Sequence, residues 1–251
     1  MKKILIVGGA SGIGLSLAKV LSERKETEKI YIVDKNPLSE EYRKEITAVG
    51  IPTVESLVFD LTNEDYSFFD NFADIDSLMI TAGFAKLSLF KDLSEDYIIN
   101  SFKVNSLAPI RIIKHFYSKL LSKTDFFCGV MVSISGFMSS PFFSVYAATK
   151  AALKIFIESV NVELIKAEST NRILNVSPGS IKGTSFEGGQ TDVSLTRELA
   201  EEILQHMENK DDLFIPKYEQ VFKHVLQRYN EDFRKEGLHS YDYKLNSGRI
   251  K

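Results

Sequence analysis

The stretch Lys3-Ile4-Leu5-Ile6-Val7-Gly8-Gly9-Ala10-Ser11-Gly12-Ile13-Gly14-Leu15 decides the fold. Ile4 to Val7 is an aliphatic run too short for a helix and rich in β-branched residues, which predicts a buried strand. Glycines end it. Beyond them Ile13, Leu17 and Leu21 recur every fourth residue, so the strand passes through a glycine turn into a helix, read across Leu15–Leu21, with one apolar stripe. Glycines at such a turn allow tight backbone geometry and let an anion approach the amides at the helix N-terminus, where the macrodipole favours negative charge. Gly8, Ser11, Gly12, Ile13 and Gly14 are therefore candidate phosphate contacts. Their spacing, Gly8-x-x-x-Gly12-x-Gly14, differs from the G-x-G-x-x-G dinucleotide pattern but sits in the same strand-to-helix context.

Further aliphatic runs follow at intervals that leave room for one helix each: Ile30–Val33, Thr53–Phe59, Ser77–Thr81, Val130–Ile134, Ile173–Val176 and Leu213–Ile215. Seven strands alternating with helices predict a doubly wound, Rossmann-type α/β fold, with a parallel seven-stranded sheet and helices on both faces. No repeat, low-complexity tract or Pro/Gly linker divides the 251 residues, so a single domain is expected. The segment 183–196, with Gly183, Gly188 and Gly189, reads as a mobile loop beside the substrate. After it come a helix over Leu199–Met207, a last strand over Asp212–Ile215, and an amphipathic helix over about 217–235, clearest from Tyr218 to Phe233. The tail after Gly237 is expected to fray.

Composition narrows the function. With 44% apolar and 26% charged residues and a net charge of -3, the chain is an ordinary globular protein without the basic block that nucleic-acid phosphates require. The first apolar run is far too short for a signal peptide or a membrane span, which places the protein in the cytoplasm and off the membrane. Cys128, the single cysteine, has no partner for a disulfide and reads as a buried inert thiol. His115, His206, His224 and His239 lack metal-ligand spacing, so no metal is expected.

Two further features carry chemistry. Asp34 closes the second strand 20 residues after Gly14, where a carboxylate accepts hydrogen bonds from both hydroxyls of an adenosine ribose. It would repel a 2′-phosphate, which favours NAD, while Lys35 beside it leaves NADP open. Tyr146 and Lys150 open a helical stretch and share a face about 5–6 Å apart. A cation there favours the phenolate and brings proton transfer within reach of neutral pH. Tyr31 and Lys35 have the same spacing, but on a strand and its end they would lie roughly 13 Å apart.

Together the glycine turn, the acidic end of the second strand and Tyr146-x-x-x-Lys150 resemble the short-chain dehydrogenase/reductase family, single-domain branch. The resemblance runs from about Lys3 to Ile215. It implies that Tyr146 is the general acid/base, and that Lys150 lowers its pKa and holds the nicotinamide ribose. It also implies that Ser133, thirteen residues before the tyrosine, binds the substrate oxygen, with Ser135 as the alternative, and that Asn105 holds a water in a proton relay. By the same resemblance Asp60 and Leu61 contact adenine. Ala82 and Gly83 line the cofactor after strand four, where Thr81 replaces the family's usual asparagine. Pro178, Gly179, Ile181 and Thr184 grip the nicotinamide carboxamide.

These readings predict a hydride-transferring oxidoreductase acting on a small-molecule alcohol or carbonyl compound. Phe84, Phe137, Met138, Phe142, Phe143 and Phe186 are candidates for an apolar pocket. The resemblance further implies a homodimer or homotetramer assembled through the long helices after residues 95 and 146. A dinucleotide-sensing regulatory protein on the same fold is the alternative, and it would be expected to lack the tyrosine or the lysine. An epimerase of the family's extended branch would need a larger C-terminal part than follows Pro178.

Overall fold

Alternate residues of a strand face opposite ways, and in the first strand all of them are apolar, so both faces of the sheet must be covered. The computed structural model, which describes residues 1–47, 52–184, 186 and 191–247, shows how. In chain order it has β1 (Lys3–Val7), α1 (Gly12–Ser22), β2 (Lys29–Asp34), α2 (Glu40–Thr47), β3 (Thr53–Val58), β4 (Ser77–Ile80), α3 (Glu95–Phe102), α4 (Ala108–His115), α5 (Tyr117–Leu121), β5 (Phe127–Met131), α6 (Ser144–Lys166), β6 (Ile173–Val176), α7 (Val193–Glu208), β7 (Leu213–Phe214), α8 (Lys223–Glu231) and α9 (Phe233–Asn246). The seven strands form one sheet in the order β3-β2-β1-β4-β5-β6-β7. Every pairing is parallel, with Val7 opposite Val33 on one side and Ile80 on the other. The strand order turns back between β1 and β4, and the crevice beyond the carboxyl ends of these strands is where ligands bind in such sheets.

Each face has its own core. Leu5, Val7, Val33, Leu78, Ile80 and Val130 pack with Phe69, Phe72, Phe116, Leu153 and Ile157. On the other face Ile4, Ile6, Ile30, Ile32 and Met79 pack with Leu17 and Leu21 of α1 and with Ile203 and Leu204 of α7. Burying one such side chain contributes about 1.5–3 kcal/mol. Tyr31 is absorbed here, its ring edge-on to Phe72 at 5.0 Å, so the Tyr31/Lys35 spacing has no catalytic meaning.

Several boundaries differ from the sequence reading. β5 ends at Met131, before Ser133, because the Ser133 side chain accepts the Ser135 N–H and starts a tight turn over Ile134–Gly136. Ser133 and Ser135 are therefore not two positions along one strand face. α7 begins at Val193, inside the segment read as a loop, since the Asp192 carboxylate accepts the Ser194 N–H and caps it. Residues 185 and 187–190 of that loop, with Gly188 and Gly189, lie outside the described residues. The final helix is broken: Tyr218–Phe222 is a π-turn, α8 stops at Glu231, and extended Asp232 caps α9 through the N–H groups of Arg234 and Lys235. The tail read as frayed is thus helical through Asn246.

Helices α3 and α6 pack together and leave Ile99, Phe102, Ile155, Val162 and Ile165 exposed. Among the described residues no helix is long and apolar enough to cross a membrane.

Candidate active site

The crevice beyond the strand ends is a cleft of about 680 Å³. Its floor is the glycine turn. Gly8 has φ +89°, and a Cβ on it would stand 2.4 Å from the Ala82 nitrogen. A Cβ on Gly14 would come within 2.3 Å of the Gly8 carbonyl oxygen. Thr81, for which the family resemblance left only a backbone role, donates its hydroxyl to Gly8 O at 2.9 Å and Val7 O at 3.2 Å, locking the end of β4 to the turn. Ser11 precedes α1 in an extended conformation and its side chain caps no amide. The first turn of α1 therefore faces the cleft without a side-chain cap from Ser11. The Gly12 N–H donates to Thr191 Oγ1 at 2.9 Å.

Asp34 stands at one end of the cleft. One carboxylate oxygen accepts the Ala10 N–H at 3.1 Å and the other the Asn36 N–H at 3.2 Å. Nearby, Asp60 accepts both the N–H and the hydroxyl of Thr62 at 2.8 Å, and these two bonds hold its carboxyl below the usual carboxylate range. Leu61 is fixed by Tyr66, whose hydroxyl donates to the Leu61 carbonyl at 2.8 Å.

At the other end stand Tyr146 and Lys150, one turn apart on α6. Burial pushes the Tyr146 phenol up to about 12, while the Ser133 hydroxyl beside it pulls the other way. Lys150 is only 2% exposed. Burial brings it down to about 7, and its ammonium donates to the Met131 carbonyl at 2.8 Å. It lies 5.7 Å from the Tyr146 ring centroid. Desolvation dominates at both groups, because the same burial that brings the pair together takes both out of water.

Asn105 sits in a π-turn, Lys103–Leu107, that joins α3 to α4. It does not line the cleft but backs it. Its Oδ1 accepts the Phe84 N–H and its Nδ2 donates to the Phe84 carbonyl, both at 2.9 Å, which fixes the backbone beside Gly83. A Cβ on Gly83 would stand 3.2 Å from Asn105 Oδ1 and 3.5 Å from Lys150 Nζ, so the backbone passes close to both side chains here.

Above lies the Pro178–Thr184 turn. Pro178 accepts the Ile134 N–H at 3.0 Å, and Thr184 donates its hydroxyl to Ile181 O at 2.7 Å. Phe222 packs against Gly179, where a Cβ would meet the ring at 2.7 Å.

Gly8, Ser11, Gly12, Ile13, Gly14, Asp34, Asp60, Leu61, Ala82, Gly83, Ser133, Tyr146, Lys150, Pro178, Gly179, Ile181 and Thr184 all line this one cleft, as does Ser135. Of the aromatic candidates, Phe84, Phe143 and Phe186 line it. Phe142 packs on Tyr241 instead, and Phe137 lies under the Lys154 ammonium. Met138 is not among the lining residues. Sequence reading missed Thr191, a lone threonine that only the folded loop carries to Gly12. It also missed Tyr97, whose ring lies 5.7 Å from Phe84 and whose hydroxyl accepts the Lys86 N–H. Among the described residues no three His, Cys, Asp or Glu side chains gather as a metal site.

Residues 2–194 match the profile of the short chain dehydrogenases. The chain belongs to the short-chain dehydrogenase/reductase family. It is accordingly an oxidoreductase. An NADP-dependent 3-hydroxy acid dehydrogenase of Schizosaccharomyces pombe is 32% identical to it over 193 residues, 72% of each chain. A short-chain dehydrogenase from Sphingobium yanoikuyae, solved in complex with NADPH, has the same fold, with a TM-score of 0.74 at 22% identity over 92% of this chain and 96% of its own. So does the bulky-bulky ketone specific alcohol dehydrogenase from Comamonas testosteroni, with a TM-score of 0.73 at 21% identity over 96% and 94%.

The buried lysine has a measurable signature. Its folded pKa of about 7 lies below the ordinary 10.5, so the cost of burying the ammonium is complete below pH 7 and disappears as pH rises to 10.5. The wild-type chain should therefore gain stability relative to Lys150→Met between about pH 7 and about pH 10, with no such trend below. Urea unfolding across that range reads the difference, and a difference independent of pH would show the ammonium to be solvated.

Proposed function

We propose that this short-chain dehydrogenase is an NAD-dependent alcohol dehydrogenase or ketoreductase in which Tyr146 is the general acid/base. The observation that carries the reading is the Tyr146 phenol, beside the Ser133 hydroxyl and Lys150, at one end of a cleft whose floor is the glycine turn and the first turn of α1. A nicotinamide, when bound, supplies or removes a hydride at the carbonyl carbon. In reduction Tyr146 gives its proton to the carbonyl oxygen, and in oxidation it takes the proton back. With its pKa raised to about 12, the phenol of the free chain is protonated at neutral pH and set to donate. Ser133 holds the same oxygen. Lys150 stabilises the phenolate once the proton has left, and Asn105 acts by keeping the Gly83–Phe84 backbone in place beneath them.

The residues present fit a dinucleotide. The amides at Ser11, Gly12, Ile13 and Gly14 would meet the diphosphate, Asp34 the adenosine ribose, and Asp60 and Leu61 the adenine. Ala82, Gly83, Pro178, Gly179, Ile181 and Thr184 would enclose the nicotinamide half. Charged side chains on the cleft wall are Asp34, Lys35 and Asp60 at the adenosine end and Lys150 behind the tyrosine. Phe84, Val104, Phe143 and Phe186 surround the remaining space, so the substrate is a neutral, largely apolar alcohol or carbonyl compound. The exposed apolar faces of α3 and α6 would be covered in a homodimer or homotetramer.

Three measurements test these points. In a panel of ketones with NADH, Tyr146→Phe should lose about 10²–10⁴-fold in kcat/KM while NADH affinity is retained. Unchanged turnover would remove Tyr146 from the chemistry, and tight NADH binding with no turnover by the parent would favour a sensor. The parent should bind NADH more tightly than NADPH, and Asp34→Asn, which keeps an acceptor for Ala10 but loses the charge, should shift that ratio toward NADPH about tenfold or more. Light scattering should give a mass two or four times 28.4 kDa that drops to one chain in Val162→Glu. A monomeric parent would rule the assembly out.

A further inference from the structure

Between Ser133 and Tyr146 the chain runs through a short segment, 139–143, in which Phe142 has φ +66°. A bulky residue there is strained and keeps that conformation only where its surroundings impose it. Next to it Phe143 forms part of the cleft wall, with its ring 5.9 Å from that of Tyr146. Whatever holds this segment therefore sets the shape of the substrate end.

The restraint comes from α9. Gly237, Tyr241 and Lys244 lie four and three residues apart, on one face of that helix. Gly237 is so close to the segment that a Cβ on it would stand 3.2 Å from Ser139 Oγ. Tyr241 packs at a tilt of 32° against the buried ring of Phe142, with the ring centroids 4.6 Å apart. Lys244 donates to Ser140 Oγ at 2.9 Å and to the Pro141 carbonyl at 2.8 Å, and its ammonium stands 5.4 Å from the centroid of Phe143. The helix is itself pinned, since Arg228 of α8 grips the Glu236 carboxylate with two bonds, at 2.7 and 3.0 Å. Both helices follow the stretch 2–194 that matches the family profile.

We propose that Lys244 is a positioning residue for substrate specificity. Through Ser140, Pro141 and Phe143 it holds an aromatic wall, with Phe186 on the far side of Tyr146 at 5.7 Å, that selects carbonyl compounds carrying a flat apolar or aromatic group. This rests on the carbonyl chemistry proposed above. Lys244 itself does not line the cleft, so it acts on the substrate only through the wall. Hydrophobic contact and cation–π attraction both depend on the ring staying where the ammonium and its two acceptors fix it.

The test uses the full chain as parent, Lys244→Met and Lys244→Arg, with NADH and two ketones, acetophenone and 2-butanone. Lys244→Met should raise KM for acetophenone about tenfold with kcat within about twofold, leave 2-butanone and NADH affinity nearly unchanged, and be reversed in Lys244→Arg. An equal effect on both ketones, or none, overturns the proposal. Hydrogen exchange of the 138–147 peptide separates this from the reaction itself. It should quicken about tenfold or more in Lys244→Met alone while the β1 amides stay protected. If the parent reduces neither ketone but that exchange responds, the carbonyl reading fails and the restraint stands. If the exchange does not respond, the restraint fails.

Discussion

The bond from the Lys150 ammonium to the Met131 carbonyl organises the tyrosine end of the cleft. It ties the first turns of α6 to the end of β5, and so brings Tyr146 opposite Ser133. The tie is made at the expense of hydration, because a lysine shielded this completely gives up its proton near neutral pH. An unpartnered ammonium at that depth would cost far more than one that keeps a carbonyl acceptor. The neighbouring glycines follow the same logic. Gly83 is small enough for Asn105 and Lys150 to crowd past it, and Gly136 lies so near the Lys150 backbone that a Cβ would stand 2.9 Å from its carbonyl carbon.

The same burial explains why the two titrating groups move apart. Tyr146 rises and Lys150 falls, each toward its neutral form, because the surroundings offer little solvent to either charge. Cys128 shows the limiting case on β5, where burial alone pushes the thiol up to about 12 and leaves it inert.

Much of this was legible in the sequence, and the reasons are local. The strand and turn around Gly8–Gly14 announce themselves because β-branched periodicity and glycine placement are dictated by backbone geometry within a few residues. Tyr146 and Lys150 could be paired because helical spacing alone puts them on one face. What was hidden depends on contacts distant in sequence. The early end of β5 arises from one hydroxyl turning back on Ser135, and the break at Asp232 from a carboxylate preferring two amides to a continued helix. Order in the tail comes from Phe142 and Ser140, about a hundred residues earlier, so a polar, weakly periodic segment gave no sign of it. The depth of burial at Tyr146 was not legible, because spacing reveals a neighbour but not how much water surrounds it.

Thr191 shows what that distance dependence entails. Its hydroxyl occupies the Gly12 amide, and its carbonyl accepts the Tyr42 hydroxyl of α2 at 3.2 Å, only two residues before α7 begins. An anion that claims the Gly12 amide must evict this internal occupant, so its apparent affinity is a difference between two bonds and not the strength of one. One threonine thus joins the glycine turn to the entrance of α7 and to α2.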